Sequence, residues 1–196
     1  MTRQEALELM QEYTLSDSLR KHMLAVEGAM RAYARHYGED EELWGLAGLL
    51  HDFDYERWPN DAHAPDREHP AEGVRLLRQR GVSEDVLQAI LGHATYTGVP
   101  RETRMAKALF AVDELTGLIT ATALVRPSRS LNEVDVRAVQ KKFKDRAFAR
   151  GCNREDILEG AAALGVDLPA HIQFVLDAMR SRAAMLGLAG TPAPSE

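Results

Sequence analysis

Apolar side chains recur along this chain every three or four residues, the period of helices that bury one face. Thr2 and Glu5 form a capping-box pattern ahead of "ALELMQEY". From Ser16, "SDSLRKHMLAVEGAMRAYARHYG" keeps apolar or small residues at helical spacing and stops at Gly38; Asp40 then caps "EELWGLAGLLHD". "HPAEGVRLLRQRG" opens with Pro70 in a first turn and closes on Gly81. Ser83 caps "EDVLQAILGHA", and a long helix, "TRMAKALFAVDELTGLITATALV", ends before Pro127. Ser130 and Glu133 repeat the capping-box pattern before "VDVRAVQKKFKDRAFARG", and Asn153 caps "REDILEGAAALG". "PAHIQFVLDAMRSRAAML" closes the fold, and "GLAGTPAPSE" is expected to fray. No alternating strand pattern bounded by hairpin turns interrupts the series, so the predicted fold class is all-α. The longest irregular stretch, "FDYERWPNDAHAPDRE", is long for a connector in a compact domain, and loops of that kind tend to carry function.

Composition narrows the function classes. At 196 residues the chain suits one compact domain. No window is apolar for long enough to span a bilayer, and the start, "MTRQEALELMQEY", carries charge throughout and lacks the apolar region of a secretory signal. A single cysteine, Cys152, excludes an internal disulfide framework and a cysteine-based zinc site. The expected location is therefore cytoplasmic, with no membrane partner. A net charge of −6 argues against a nucleic-acid polymer as partner. The stretch "RPSRSLNEVDVRAVQKKFKDRAFARG" is nevertheless basic and suits a small anionic ligand, although any single lysine there reads first as part of a solvated helix face.

The chemistry gathers where "LWGLAGLLHDFDYERWP" drives His51, Asp52 and Asp54 into the end of a segment built for burial. His22 lies inside the second helical segment, His69 precedes Pro70, His93 lies near the end of "VLQAILGHATYTG", and Asp113 interrupts the most apolar helix. An unpaired carboxylate in such surroundings is costly, so each position demands a partner. Imidazoles and carboxylates are ligands for divalent first-row metals. His22, His51, Asp52 and Asp113 supply enough donors for one ion. His69 and His93 complete a set for two, with Asp52 bridging through its two oxygens. Adjacent helical residues point about 100° apart, and His51 and Asp52 converge because they stand where the helix ends. Asp113, Thr116, Gly117 and Thr120 share one stripe; small residues there leave room for substrate and equally serve helix packing.

The ordered set of His22, "HD" at 51–52 and Asp113 on successive helices resembles the HD-domain superfamily of metal-dependent phosphohydrolases, over roughly residues 16 to 125. His69 in "HPAEGVRLL" and His93 in "GHATYTG" look like the HDIG-like subgroup with six ligands and two metals. Where that subgroup reads His-Asp-Ile-Gly, this chain has His51-Asp52-Phe53-Asp54, which keeps both ligands and adds an acid. The resemblance implies a helical bundle over residues 1–125, a helical extension packed on it over 126–188 and a flexible tail over 189–196. It also implies one or two divalent ions (manganese, iron, cobalt, nickel or magnesium). The implied reaction is hydrolysis of phosphoesters or phosphoanhydrides of nucleotides or other small phosphorylated molecules. Some two-metal members are instead di-iron oxygenases using the same ligands, and a catalytically idle metal-binding module is a third reading. A homo-oligomer is compatible with the chain but not specified by it.

Roles follow from that resemblance. His22, His51, Asp52 and Asp113 would bind the first metal, and His69 and His93 would complete the second. Asp52 and Asp113 would hold and partly neutralise the ions. Asp54 would support a ligating histidine or protonate the leaving group. Tyr96, Lys107, Arg126, Arg129 and Lys142 are the substrate candidates, since cations suit phosphate oxygens. A turn, an ion pair with Glu114 or a solvated face are the plainer accounts of these. His36, His63 and His171 are expected to be ordinary surface histidines.

Overall fold

The structure, a computed structural model, describes residues 1–190. Its helices follow the caps. Thr2 opens α1 (Arg3–Tyr13) with both capping-box bonds made, Ser16 opens α2 (Asp17–Tyr37), and Gly38 ends α2 at φ 69°, a conformation glycine adopts without strain. Asp40 caps α3 (Glu41–Leu50) through the Glu42 and Leu43 amides. After the long loop come α4 (Ala71–Gln79), α5 (Glu84–His93) and α6 (Arg104–Leu124). The extension adds α7 (Val136–Lys144), α8 (Arg154–Ala163), α9 (Leu168–Arg180) and the short α10 (Ala183–Leu186). Among the described residues no strand forms beyond a lone bridge between Ser130 and Ala189. None of these helices is long and apolar enough to cross a membrane.

Close helix contact at glycines brings the site elements together. A Cβ on Gly48 of α3 would lie 2.9 Å from the Glu27 Cα of α2, so only glycine lets the two helices cross this tightly. Likewise a Cβ on Gly160 of α8 would stand 2.4 Å from the Ala111 Cα of α6, which seats the extension on the core. Val26, Met30, Leu49, Leu50, Leu109 and Leu115 are buried between α2, α3 and α6. Each such side chain stabilises the fold by about 1.5–3 kcal/mol relative to exposure. Glu27 is wholly buried beneath them and is met by three arginines: Arg3 of α1, Arg31 of its own helix and Arg182 before α10. A buried carboxylate requires such partners.

Four expectations are corrected here. His171 is not a surface residue but 1% exposed: it accepts from the Tyr33 hydroxyl at Nδ1 (2.6 Å) and donates from Nε2 to the Ala111 carbonyl (2.9 Å). It lies on the stripe of α9 that also buries Ile172, Val175 and Met179, and there α2 and α6 supply the polar partners its ring needs. Ser130 caps only a short 3-10 turn, Leu131–Glu133, while Asp135 caps α7, which ends at Lys144 rather than running on to Gly151. Pro70, expected within the first turn, stands one place earlier as the N-cap of α4, and the His69–Pro70 bond is cis. The tail does not fray from its start, because Leu188 is buried and accepts from the Leu131 amide, and Ser130 donates to the Ala189 carbonyl. The rest of the expected tail, 191–196, lies outside the described residues.

Candidate metal centre

Five elements deliver the six candidate ligands. His22 comes from the second turn of α2 and Asp113 from the middle of α6. His93 is the last residue of α5, and His69 ends the long loop before α4. At the end of α3, His51 keeps helical angles (φ −62°, ψ −34°), and the chain then continues in tight turns through Trp58, with the Tyr55 amide bonded to the Asp52 carbonyl. That break in regular helix is what turns His51 and Asp52 toward one point.

They form two clusters, His22–His51–Asp113 and Asp52–His69–His93, within each of which one donor atom per residue lies within 4.8 Å of the others. His22 Nε2 is 2.9 Å from Asp113 Oδ1 and 3.2 Å from His51 Nε2. His69 Nε2 is 3.3 Å from His93 Nε2 and from Asp52 Oδ1. Asp52 joins the clusters, because its other oxygen, Oδ2, lies 3.3 Å from His51 Nε2.

The far side of each ring decides what these nitrogens are. His51 Nδ1 donates to the Gly48 carbonyl and His93 Nδ1 to the Ile90 carbonyl. His69 Nδ1 donates to Asp54 Oδ1 at 2.7 Å. Thr116 gives its hydroxyl hydrogen to the Asp113 carbonyl, so its oxygen accepts from His22 Nδ1 at 3.4 Å. With a proton fixed on every Nδ1, each Nε2 presents a lone pair to the cluster. Lone pairs facing one another at 3.2 and 3.3 Å repel unless a cation stands between them. The donor set therefore fits a divalent ion and fits hydrogen bonding alone poorly.

Electrostatics agree. Burial pushes Asp52 and Asp113 up, but His51 and the other imidazoles hold both carboxyls well below the usual range. Burial pushes His51 down, yet the charges of Asp52 and Asp113 raise it well above the ordinary imidazole value. Two buried carboxylates thus draw positive charge to this point, as protons or as metal, and the two compete for the same nitrogens.

Asp54 stands behind this layer. It is 1% exposed and does not line the cavity; Oδ1 takes the His69 proton, and Oδ2 accepts from the Gly73 amide in the first turn of α4 at 2.7 Å. Gly73 is required for that approach, since a Cβ there would lie 2.6 Å from Asp54 Cγ. Of the two roles expected of Asp54, its position matches support of His69 and not contact with a leaving group in the cavity.

The clusters open into a cavity of about 760 Å³. The long loop and the turn after α5 supply one part of its wall: Tyr55, Asn60, His63, Thr95 and Tyr96. His63, expected to be an ordinary surface residue, stacks on Tyr96 (4.8 Å between centroids) at a positive φ of 50°. Tyr96 donates to the His69 carbonyl, which ties the wall to the ligand loop. Glu114 and Gly117 of α6 and Gly151, Asn153 and Asp156 of the extension complete the lining. Burial, then the Asp113 charge, pushes the Glu114 carboxyl up to about 8.

The remaining substrate candidates lie elsewhere. Lys107 lines a separate recess with Arg101 and Glu159, and among the described residues it makes no ion pair with Glu114. Arg126 follows the end of α6 outside the cavity, and the Lys142 amine sits 4.2 Å over the Phe148 ring. Arg129 lines a groove of about 330 Å³ that borders His22 and Gly117 from the other side. Sequence reasoning missed Asn60, Gly151, Asn153 and Asp156 as wall residues; only Asn153 carried any signal, as a helix cap.

Compared with known families, residues 19–118 match the model of the HD domain, a span that contains all six candidate ligands. No curated protein and no solved structure matches the chain.

Proposed function

Because the chain belongs to the HD-domain family, whose model covers half its length, we propose that it is a metal-dependent phosphohydrolase acting on a phosphoester or phosphoanhydride of a small molecule, nucleotides included. The observation that carries this reading is the set of four imidazoles with Nδ1 engaged and Nε2 converging on two carboxylates. One or two divalent ions of manganese, iron, cobalt, nickel or magnesium held there would supply Lewis acidity and water activated near neutral pH.

The protein's own part is orientation and charge. Asp52 offers one oxygen to each cluster and so fixes their spacing, while Asp113 balances charge on the His22–His51 side. Asp54, braced by the α4 amide, keeps His69 in the ligating tautomer. Glu114, Asn153 and Asp156 bring hydrogen-bonding groups to the wall where a leaving group would sit, and Tyr96 with His63 offers a flat face for a ring.

The test pairs composition with turnover. Protein purified without chelator or affinity nickel is measured for metal by elemental mass spectrometry and assayed on a panel of phosphoesters, beside Asp52→Ala. Bound metal and phosphate release, both lost in the variant, support the reading. Turnover that survives loss of the metal refutes it, and oxygen uptake by an iron form that releases no phosphate replaces it with the oxygenase reading.

A further inference from the structure

Beside the metal cavity lies a second basin of about 360 Å³, built wholly by the segment between α7 and the first turn of α8. The two cavities share Gly151 and Asn153 in their walls and so lie side by side. Arg146, Arg150 and Arg154 line the basin, against one carboxylate, the exposed Glu155. None of the three arginines makes an ion pair among the described residues, whereas nine other arginines do. 

Arg154 shapes this basin. Its guanidinium donates only to backbone carbonyls, those of Asp145, Phe148, Ala149 and Cys152, so it gathers the segment around a charge that no carboxylate cancels. Its Nε is the one buried side-chain polar atom without a hydrogen-bond partner among the described residues. Ala149 is held at φ 42° in the same segment, a conformation unfavourable for a residue with a Cβ. The result is a preformed pocket with three guanidinium groups against a single exposed carboxylate, and so with an excess of positive charge.

We propose that this basin is an anion subsite, and that the substrate carries a second phosphoryl group beyond the one placed at the metal clusters. The assignment rests on the phosphohydrolase reading for the first group and on the arginines for the second. Guanidinium groups suit phosphate oxygens, and the shared wall at Gly151 and Asn153 brings the two sites close enough for one molecule to span them.

The test uses the metal-loaded full chain and bis-methylene triphosphate, an inert analogue of tripolyphosphate, in calorimetric titrations. Arg146 and Arg150 are exposed, so Arg146→Ala with Arg150→Ala is expected to fold normally. It should weaken binding by about tenfold or more. Arg80→Ala with Arg137→Ala, which removes the same charge from exposed sites elsewhere, should leave binding within about twofold. Equal loss in both pairs, or no loss in either, overturns the subsite. Tighter binding of an oligonucleotide than of the triphosphate at the same arginines overturns the small-substrate assignment. Phosphoester turnover with no arginine effect leaves the hydrolase reading standing and removes the subsite. Arginine-dependent binding with no turnover of any phosphoester does the reverse.

Discussion

Replacing Asp54 by asparagine tests whether the protein selects the tautomer of a ligand from outside the cavity. The change keeps the side chain's shape but leaves one acceptor oxygen and one donor nitrogen where two acceptors stood. Both wild-type oxygens are in use, one by His69 Nδ1 and one by the Gly73 amide, each at 2.7 Å. The Gly73 N–H is fixed by the first turn of α4, and leaving it buried without an acceptor costs about 1–3 kcal/mol. The asparagine oxygen should therefore turn to Gly73 and its nitrogen to His69. His69 Nδ1 then has to accept, which moves the ring proton to Nε2, the atom 3.3 Å from Asp52 Oδ1 and from His93 Nε2. An Nε2 that carries a proton has no lone pair for a metal. Loss of such an orienting partner typically weakens metal affinity about 10–100-fold, or about 1.4–2.7 kcal/mol. Titration with manganese or cobalt should show this loss in the step that fills the His69–His93 cluster, with the His22–His51 step little changed. Melting in chelator serves as the fold control. Wild-type affinity in both steps, or equal weakening of both, would refute the reasoning.

Three further outcomes follow from the same geometry. Burial pushes Glu27 up, but Arg3, Arg182 and Arg31 more than offset it, so its folded pKa lies below the ordinary 4.5. Its stabilisation is therefore complete above that unfolded value and is lost as pH falls through the folded one. Glu27→Gln should flatten the acid limb of a melting-temperature profile and cost about 3–5 kcal/mol near neutral pH. An unchanged limb would show that the acid transition begins elsewhere. Gly160→Ala places a methyl 2.4 Å from the Ala111 Cα and should destabilise by about 1–3 kcal/mol in urea titrations. A stability equal to or above the wild type would mean that α8 is not seated on α6 as described. Removing metal should lower the melting temperature by about 5–10 °C if the ion is held near a hundred times its dissociation constant. A chelator that leaves the melt unmoved would contradict ligation by these residues.

Helix starts were legible because their signals are local: Thr2 with Glu5, Ser16, Asp40 and Asn153 all cap in the structure as their sequence context predicts. The six ligand candidates were legible as an ordered set, since polar residues in apolar helices need partners and few partners suit both imidazole and carboxylate. What stayed hidden depends on how distant helices meet. His171 shares the apolar stripe of α9, but the groups that make a buried imidazole tolerable there, the Tyr33 hydroxyl of α2 and the Ala111 carbonyl of α6, come from distant segments that no local pattern encodes. Asn153 and Asp156 reach the cavity only because Gly160 lets α8 lie against α6. Asp54 reads as a support for a histidine or as a leaving-group acid until its bonds to His69 and Gly73 are seen.

The Glu27 cluster has a mechanical consequence. Arg3 and Arg182, near opposite ends of the described chain, grip the same buried carboxylate. A force applied at the two ends would load that carboxylate and the α2–α3 crossing beneath it before reaching the metal ligands. The chain should therefore yield abruptly at one clasp rather than peel helix by helix, and either end, once detached, would loosen the other.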